Sequence, residues 1–338
     1  MKEASNAVAV GFDVGGTKLA SIAVRQNGEI VKRLTTPTKA HEGGEAVLDR
    51  LCQLARDLKG MISTEVIGIG VATHGVVMPD TGTVRFASSN LPGWTGINLK
   101  DHLSAVFLGI RVKVVNDGHA AALAEYLFGC GQGTNDFVML VLGTGVGGGV
   151  IADGNLLRGA NGAAGRLGHL SIDPAGPQCS CGNRGCLELY VSGTAIAQAA
   201  EQEGGLIPPR EAKTVTAQDV VQAAKDGQPT AQNLLRNAGE KLGFAFLQIA
   251  RAFDPEMIAI GGGMVSAGDL LLDSARQIVQ SGTPPELTPP SIEWAQLGAD
   301  ASLLGAAALG WNSAGPQAVQ ADPSSMSNES SRPQAHGN

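Results

Sequence analysis

Two stretches of this chain follow one plan: an apolar strand, a tight glycine-rich turn and a second apolar strand. The first is VAVGFDVGGTKLASIAV, Val8 to Val24, and the second is FVMLVLGTGVGGGVIAD, Phe137 to Asp153. Short apolar runs interrupted by glycine read as strands joined by turns. Placed once in each half, the plan points to two related α/β lobes whose turns face a shared cleft. The length agrees, because 338 residues exceed what one hydrophobic core ordinarily supports.

The intervening pattern fits such lobes. Helical periodicity runs from Ala46 to Lys59, Leu99 to Phe107 and Gly118 to Phe128, with strands at Val66 to Val71 and Val112 to Val115. The second half reads as helices over Leu187 to Gln202, Ala217 to Lys225 and Ala231 to Phe253. A buried strand follows at Met257 to Ile260, then Gly261, Gly262 and Gly263 leading into another helix. The Ala/Leu-rich stretch Ala301 to Gly310 reads as a closing helix folded back on the first lobe. The expected division is a flexible N-terminus over 1–7, a small lobe over 8–117 joined by helix 301–311, a large lobe over 118–300 and a disordered tail over 312–338. The tail is rich in Ser, Pro, Gln and Asn and has little apolar surface to bury.

Charge and cysteine usage narrow the function. A net charge of −7 without a Lys/Arg cluster argues against nucleic-acid binding. No apolar run has the length of a membrane span, and the N-terminus lacks a signal-peptide core, so the expectation is a cytoplasmic protein with no membrane partner. Of five cysteines, Cys179, Cys181 and Cys186 crowd together, which suits a metal better than a disulfide framework.

Five motifs carry chemistry. In DVGGTK, Gly15 and Gly16 let backbone N–H groups approach a polyanion, Thr17 and Lys18 offer donors, and Asp13 suits the water shell of a magnesium ion. The second turn, Gly143-Thr144-Gly145 at the start of GTGVGGG, repeats the phosphate-binding chemistry. The triplet Gly261 to Gly263 sits at a strand's carboxyl end, where α/β folds bind nucleotides, although a plain strand-to-helix turn uses the same residues. Asn116 and Asp117 lie between a strand and a helix; both types cap helices, and an acid there also suits deprotonation of a hydroxyl in phosphoryl transfer. Finally, His169 with Cys179-x-Cys181-x4-Cys186 supplies four ligands, the number a closed, structural zinc site requires.

Together these residues resemble the ROK family, named for repressor, open reading frame and kinase, and the resemblance runs nearly end to end. SNLPGW, Ser89 to Trp94, is similar to the family's sugar-contacting loop, and IAIGGG, Ile258 to Gly263, to its adenosine-side motif. The resemblance implies an α/β, two-lobed actin/hexokinase-like (ribonuclease H-like) fold with a ligand cleft between lobes. It implies transfer of the γ-phosphate of ATP to a primary hydroxyl of a hexose, foremost glucose, with Asp117 as base. Gly75, Asn90, Asn116, Asp117, His169 and Glu188 match sugar-binding positions, and the resemblance further implies a homodimer.

Two departures stand out. The family usually reads Glu-x-Gly-His before the zinc cysteines, whereas this chain has Arg166-Leu167-Gly168-His169. Upstream, His74 and Met78 replace residues that are commonly Pro or Gly, and Asp. The alternatives are a catalytically weak or silent sugar sensor and a kinase for an N-acetylhexosamine, fructose or an anionic sugar. Repressors of the family carry a helix-turn-helix domain before the first phosphate motif, and here only a dozen residues precede Asp13. Polyphosphate-dependent kinases differ in that motif and lack the zinc cysteines.

Overall fold

A computed structural model describes residues 7–88, 90–203 and 214–311. The expected flexible N-terminus, apart from residue 7, and the expected tail lie outside the described residues. The first half contains β1 (Val8–Val14), β2 (Lys18–Val24), β3 (Ile30–Pro37), α1 (Gly44–Met61), β4 (Val66–Thr73), the small hairpin β5 (Val76–Val77) and β6 (Val84–Phe86), α2 (Leu99–Val106) and β7 (Val112–Asn116). The second half holds α3 (Asp117–Phe128), β8 (Phe137–Leu142), β9 (Val146–Ala152), β10 (Asn155–Leu156), α4 (Glu188–Val191), α5 (Gly193–Glu203), α6 (Ala217–Lys225) and α7 (Pro229–Phe253). It ends with β11 (Met257–Gly261), α8 (Asp269–Gly282), β12 (Ser291–Trp294) and α9 (Ala301–Trp311).

The duplication read from the sequence is real at the level of topology. One five-stranded sheet has the order β3-β2-β1-β4-β7 and the other β10-β9-β8-β11-β12, so position for position the two sheets correspond. In each, an antiparallel meander supplies three strands and two parallel strands are added on the opposite side. One face of the first sheet packs on α1 and α2 in a core that includes Phe12, Leu51, Leu58, Trp94 and Phe107. One face of the second packs on α5 to α8 around Leu142, Leu242, Phe246 and Ile260.

Between the sheets lie α3 and α9, in contact with each other. The helix α9 is apolar nearly all round, as a helix enclosed on every side must be. Its approach is so close that a Cβ on Gly70 of β4 would sit 1.7 Å from the Ala306 carbonyl oxygen, and one on Gly305 would sit 1.7 Å from that of Ala120. Small residues therefore set the spacing of the two lobes. The entry to α9 is held by a bidentate pair, with Arg33 of β3 donating to Asp300 at 2.8 and 2.6 Å.

Several elements depart from the sequence reading. The strands β3 and β12 were not expected: β3 is a largely exposed edge strand with polar alternation, and β12 spans four residues. The single helix expected over Leu187 to Gln202 is two helices. Ser192 is extended (φ −67°, ψ 156°) and its hydroxyl accepts from the Ala195 N–H at 3.1 Å, capping α5 after a break that periodicity alone does not register. No helix among the described residues is long and apolar enough to cross a membrane.

Candidate active site

The parallel strands of the first sheet end level with one another, Val14 opposite Thr73 and Thr73 opposite Asn116. This register delivers Asp13, the His74-Gly75 turn and the Asn116-Asp117 pair to one edge, the carboxyl end where open α/β sheets bind ligands. The Asn116 side chain caps α3, its Oδ1 accepting from the Gly118 N–H at 2.9 Å, while its Nδ2 donates to the Gly75 carbonyl at 2.9 Å. Gly75 has φ +106°, and a Cβ there would meet the Phe86 carbonyl oxygen at 2.4 Å, so only glycine fits this turn.

Asp117 opens α3 with part of its surface facing the cleft. Desolvation by the surrounding protein pushes its carboxyl up, while the charges of His74 and His119 and the hydrogen bonds from Gly118 and Asn116 oppose that rise. Asp13 is pushed up to about 6, first by burial and then by the charge of Asp117, with Ser302 of α9 and Lys18 acting in the opposite sense. Two carboxyl groups thus share one cleft at a cost that a bound cation would relieve.

The first glycine turn closes through the Gly15 N–H donating to the Lys18 carbonyl at 3.1 Å. Buried Thr38 braces it, its hydroxyl donating to the Gly15 carbonyl at 2.6 Å and its N–H to that of Thr17 at 2.9 Å. Gly16, Thr17 and Lys18 remain exposed. Asn90 is also exposed, and its carbonyl oxygen lies 3.8 Å from where a Gly16 Cβ would be, which brings Asn90 beside the first glycine turn.

The second turn, Gly143 to Gly145, closes through the Gly143 N–H and Gly145 carbonyl at 2.9 Å. Only these residues of GTGVGGG form a turn; Gly147 to Gly149 lie inside β9. A Cβ on Gly148 would reach the Met139 carbonyl oxygen of β8 at 2.6 Å and one on Gly149 the Ala122 Cβ of α3 at 2.6 Å, so these two glycines serve close packing at the strand and at α3. The Glu188 carboxylate accepts from the Val146 N–H at 2.8 Å, which holds it against the second turn. Gly262, at φ +88°, lies against the end of β8, with the Leu142 carbonyl oxygen 2.4 Å from a notional Cβ.

Gly143, Thr144 and Gly263 join a cavity of about 540 Å³ whose other walls include Thr194, Gln198 and Gln218. These last three were not anticipated from the sequence. Thr194 and Gln198 reach it because the Gly193 N–H donates to the Gly143 carbonyl at 2.8 Å and the Thr194 hydroxyl to that of Thr144 at 2.8 Å, docking the start of α5 on the turn, whereas Gln218 comes from α6, its Nε2 3.3 Å from where a Gly263 Cβ would be.

Downstream of Arg166, the ligand atoms of His169, Cys179, Cys181 and Cys186 all lie within 4.8 Å of one another. His169 Nδ1 is 3.7 Å from Cys179 Sγ, and the Cys181 and Cys186 sulfurs are 3.6 Å apart. Ligand separations of this size match the edges of a tetrahedron with metal–ligand bonds near 2.0–2.3 Å. Burial and the neighbouring thiols hold Cys186 up to about 12, so the thiols need a cation to become thiolates together. Arg166 is exposed and has no ion-pair partner among the described residues; after burial, its charge is the next influence lowering the pKa of His169.

A sequence profile of the ROK family matches residues 9–312. The chain belongs to the ROK family. It is 36% identical over 316 residues to glucokinase from Halalkalibacterium halodurans, an alignment spanning 89% of this chain and 93% of that protein. It is 33% identical over 298 residues to N-acetylmannosamine kinase from Citrobacter koseri, spanning 88% and 97% respectively. Among solved structures, a ROK family glucokinase from Streptomyces griseus in complex with glucose and AMPPNP superimposes with a TM-score of 0.76 at 32% identity, covering 89% of this chain and 98% of that one. The actin/hexokinase-like, two-lobed fold is therefore that of ROK hexokinases, and the ROK chain's cleft edge is where Asp13, Asn116 and Asp117 converge.

Proposed function

We propose that this ROK protein is an ATP-dependent kinase of neutral hexoses, foremost glucose, forming the 6-phosphate. The observation that carries the reading is the convergence of Asp117 with the Gly15–Lys18 turn on one strand-end edge, with a second phosphate turn opening onto a nucleotide-sized cavity. Asp117 accepts the proton of the attacking hydroxyl, a role suited to a desolvated carboxylate at a helix start. Asn90, Asn116, His169 and Glu188, with the Gly75 backbone, hold the sugar hydroxyls. Gly15, Gly16, Thr17, Lys18, Gly143, Thr144 and Gly145 hold phosphates, and Gly261, Gly262 and Gly263 line the adenosine side.

Two metals belong to the reading. His169, Cys179, Cys181 and Cys186 hold a structural zinc ion, with every position filled by protein. Asp13 holds, through water, a magnesium ion whose charge neutralises the phosphates. The small lobe comprises 8–117 with helix 301–311 and the large lobe 118–300, and the protein acts in the cytoplasm as a homodimer. The likeness to N-acetylmannosamine kinase supports a second reading, in which the substrate is an N-acetylated hexosamine.

A coupled assay of ADP release against neutral, N-acetylated and acidic sugars separates these readings. Asp117→Asn keeps size and capping capacity, so it should fold normally and lose about a hundred- to ten-thousandfold in turnover. Turnover within threefold of wild type would sink Asp117 as the base.

A further inference from the structure

We propose that His74 is a positioning residue for the sugar: its imidazole ties Ser88, and through it the backbone of Asn90, to the turn beside Asp117. The proposal deepens the sugar-kinase reading and rests on it. His74 follows the last residue of β4, in a turn fixed from two sides. The Asn116 amide holds the Gly75 carbonyl at 2.9 Å, and Thr73 Oγ1 accepts from the indole N–H of fully buried Trp94 at 2.9 Å. From this platform His74 Nε2 lies 2.8 Å from Ser88 Oγ, and Ser88 Oγ also accepts from the Asn90 N–H at 3.4 Å. The chain of contacts runs from the base's own turn to the backbone of the residue assigned to the sugar.

The loop needs such a tie. Leu91 and Trp94 anchor its far end in the core, whereas Asn90 is exposed. The Leu91 N–H donates to the Ser88 carbonyl at 3.2 Å and so holds Asn90 from the buried side, and the His74 contact with Ser88 Oγ holds it from the side of the Asp117 turn. The same imidazole lies close enough to Asp117 that its charge favours the carboxylate. His119 faces Asp117 from the first turn of α3, but its Nε2 is held by the Ala164 carbonyl at 2.7 Å and so steadies a different loop. Orientation of this kind acts first on sugar binding, because the Gly15–Lys18 turn, although Asn90 lies beside it, is closed by its own hydrogen bond and braced by Thr38.

The test is a double-mutant cycle with His74→Ala, Ser88→Ala and the pair, read as KM for sugar and for ATP in the coupled assay and as sugar Kd by calorimetry. A lost hydrogen bond of ordinary strength corresponds to about a five- to tenfold change. Each single variant should raise sugar KM and Kd by that factor, with the ATP KM within about twofold of wild type. The double variant should be no worse than either single one, since both remove the same tie. His74→Gln, which retains a nitrogen near the Nε2 position, should restore sugar affinity. An unchanged sugar KM in the single variants, fully additive effects, or parallel loss of ATP affinity would overturn the proposal. Where His74→Ala fails to fold, Ser88→Ala decides: unchanged sugar Kd there refutes the tie. Wild-type protein that binds no sugar would sink the sugar-kinase reading itself, and the proposal with it.

Discussion

Asp13→Asn should stabilise the protein at neutral pH while costing it activity. The Asp13 carboxyl titrates at about 6 in place of 3.8, so the folded protein binds this proton more tightly than the unfolded chain does. The sign follows from linkage: the contribution is most favourable below 3.8 and is lost as pH rises through about 6. At about 1.4 kcal/mol per pH unit, the ionised carboxylate costs about 3 kcal/mol at pH 8. Part of the side chain is open to the cleft, and screening there reduces the expected gain on neutralisation to about 1–3 kcal/mol. Asn preserves the size of the group and its reach to Ser302, and it also relieves Asp117 of a like charge.

Calorimetric unfolding of nucleotide-free, magnesium-free protein measures the effect. At roughly 2–4 °C per kcal/mol, Tm should rise by several degrees at about pH 8. At about pH 5 the gain should fall to about half, because the folded carboxyl is by then mostly protonated and the unfolded one is not. An unchanged or lower Tm at the higher pH, or an equal gain at both, would refute the reasoning. Turnover should fall in the same variant under the proposed reading, in which Asp13 holds the magnesium ion of the nucleotide. Stability given up for a poised charge is a common origin of trade-offs between stability and activity.

Other expected outcomes follow from neighbouring features. Elemental analysis of chelator-free protein should find one zinc per chain, and Cys181→Ser should lose it with a lower Tm; metal-free wild type would contradict the site. Gly305→Ala should destabilise by about 1–3 kcal/mol or more, read by denaturant unfolding, because its Cβ would meet the Ala120 carbonyl oxygen at 1.7 Å; a variant as stable as wild type would show that α9 can retreat from α3 at no cost. Arg166→Glu should lower the glucose KM by roughly ten- to a hundredfold with the ATP KM unchanged, since a guanidinium cannot accept a hydroxyl proton and a carboxylate can. Loss of activity on every sugar tested would instead favour an anionic substrate.

How far the sequence reaches depends on whether a residue's role is local. The turns at Gly15–Gly16 and Gly143–Gly145 are encoded by adjacent letters, as are the cap at Asn116 and the clustering of Cys179, Cys181 and Cys186. All of these were legible. Thr194, Gln198 and Gln218 were not, because on α5 and α6 they are ordinary polar helix residues until tertiary packing, with the Gly193 to Gly143 hydrogen bond docking α5, brings them to the cavity beside Gly143 and Gly263. His74 and His119 gain significance only from partners 14 and 45 residues away.

The glycines show the limit most sharply, since GTGVGGG joins two kinds of glycine in one run. Around Gly143 and Gly16, a Cβ would meet nothing closer than 4.0 and 3.8 Å, which leaves open space of the kind a ligand fills. Around Gly148 and Gly149 the space is already taken by Met139 and by Ala122 of α3. One signal in the sequence distinguishes them: glycine at an interior strand position marks close approach of other backbone, whereas glycine between strands marks a turn. Placing the end of β8 at Leu142 and the start of β9 at Val146 is therefore what separates the open turn at Gly143–Gly145, the proposed phosphate site, from the packing glycines of the strand.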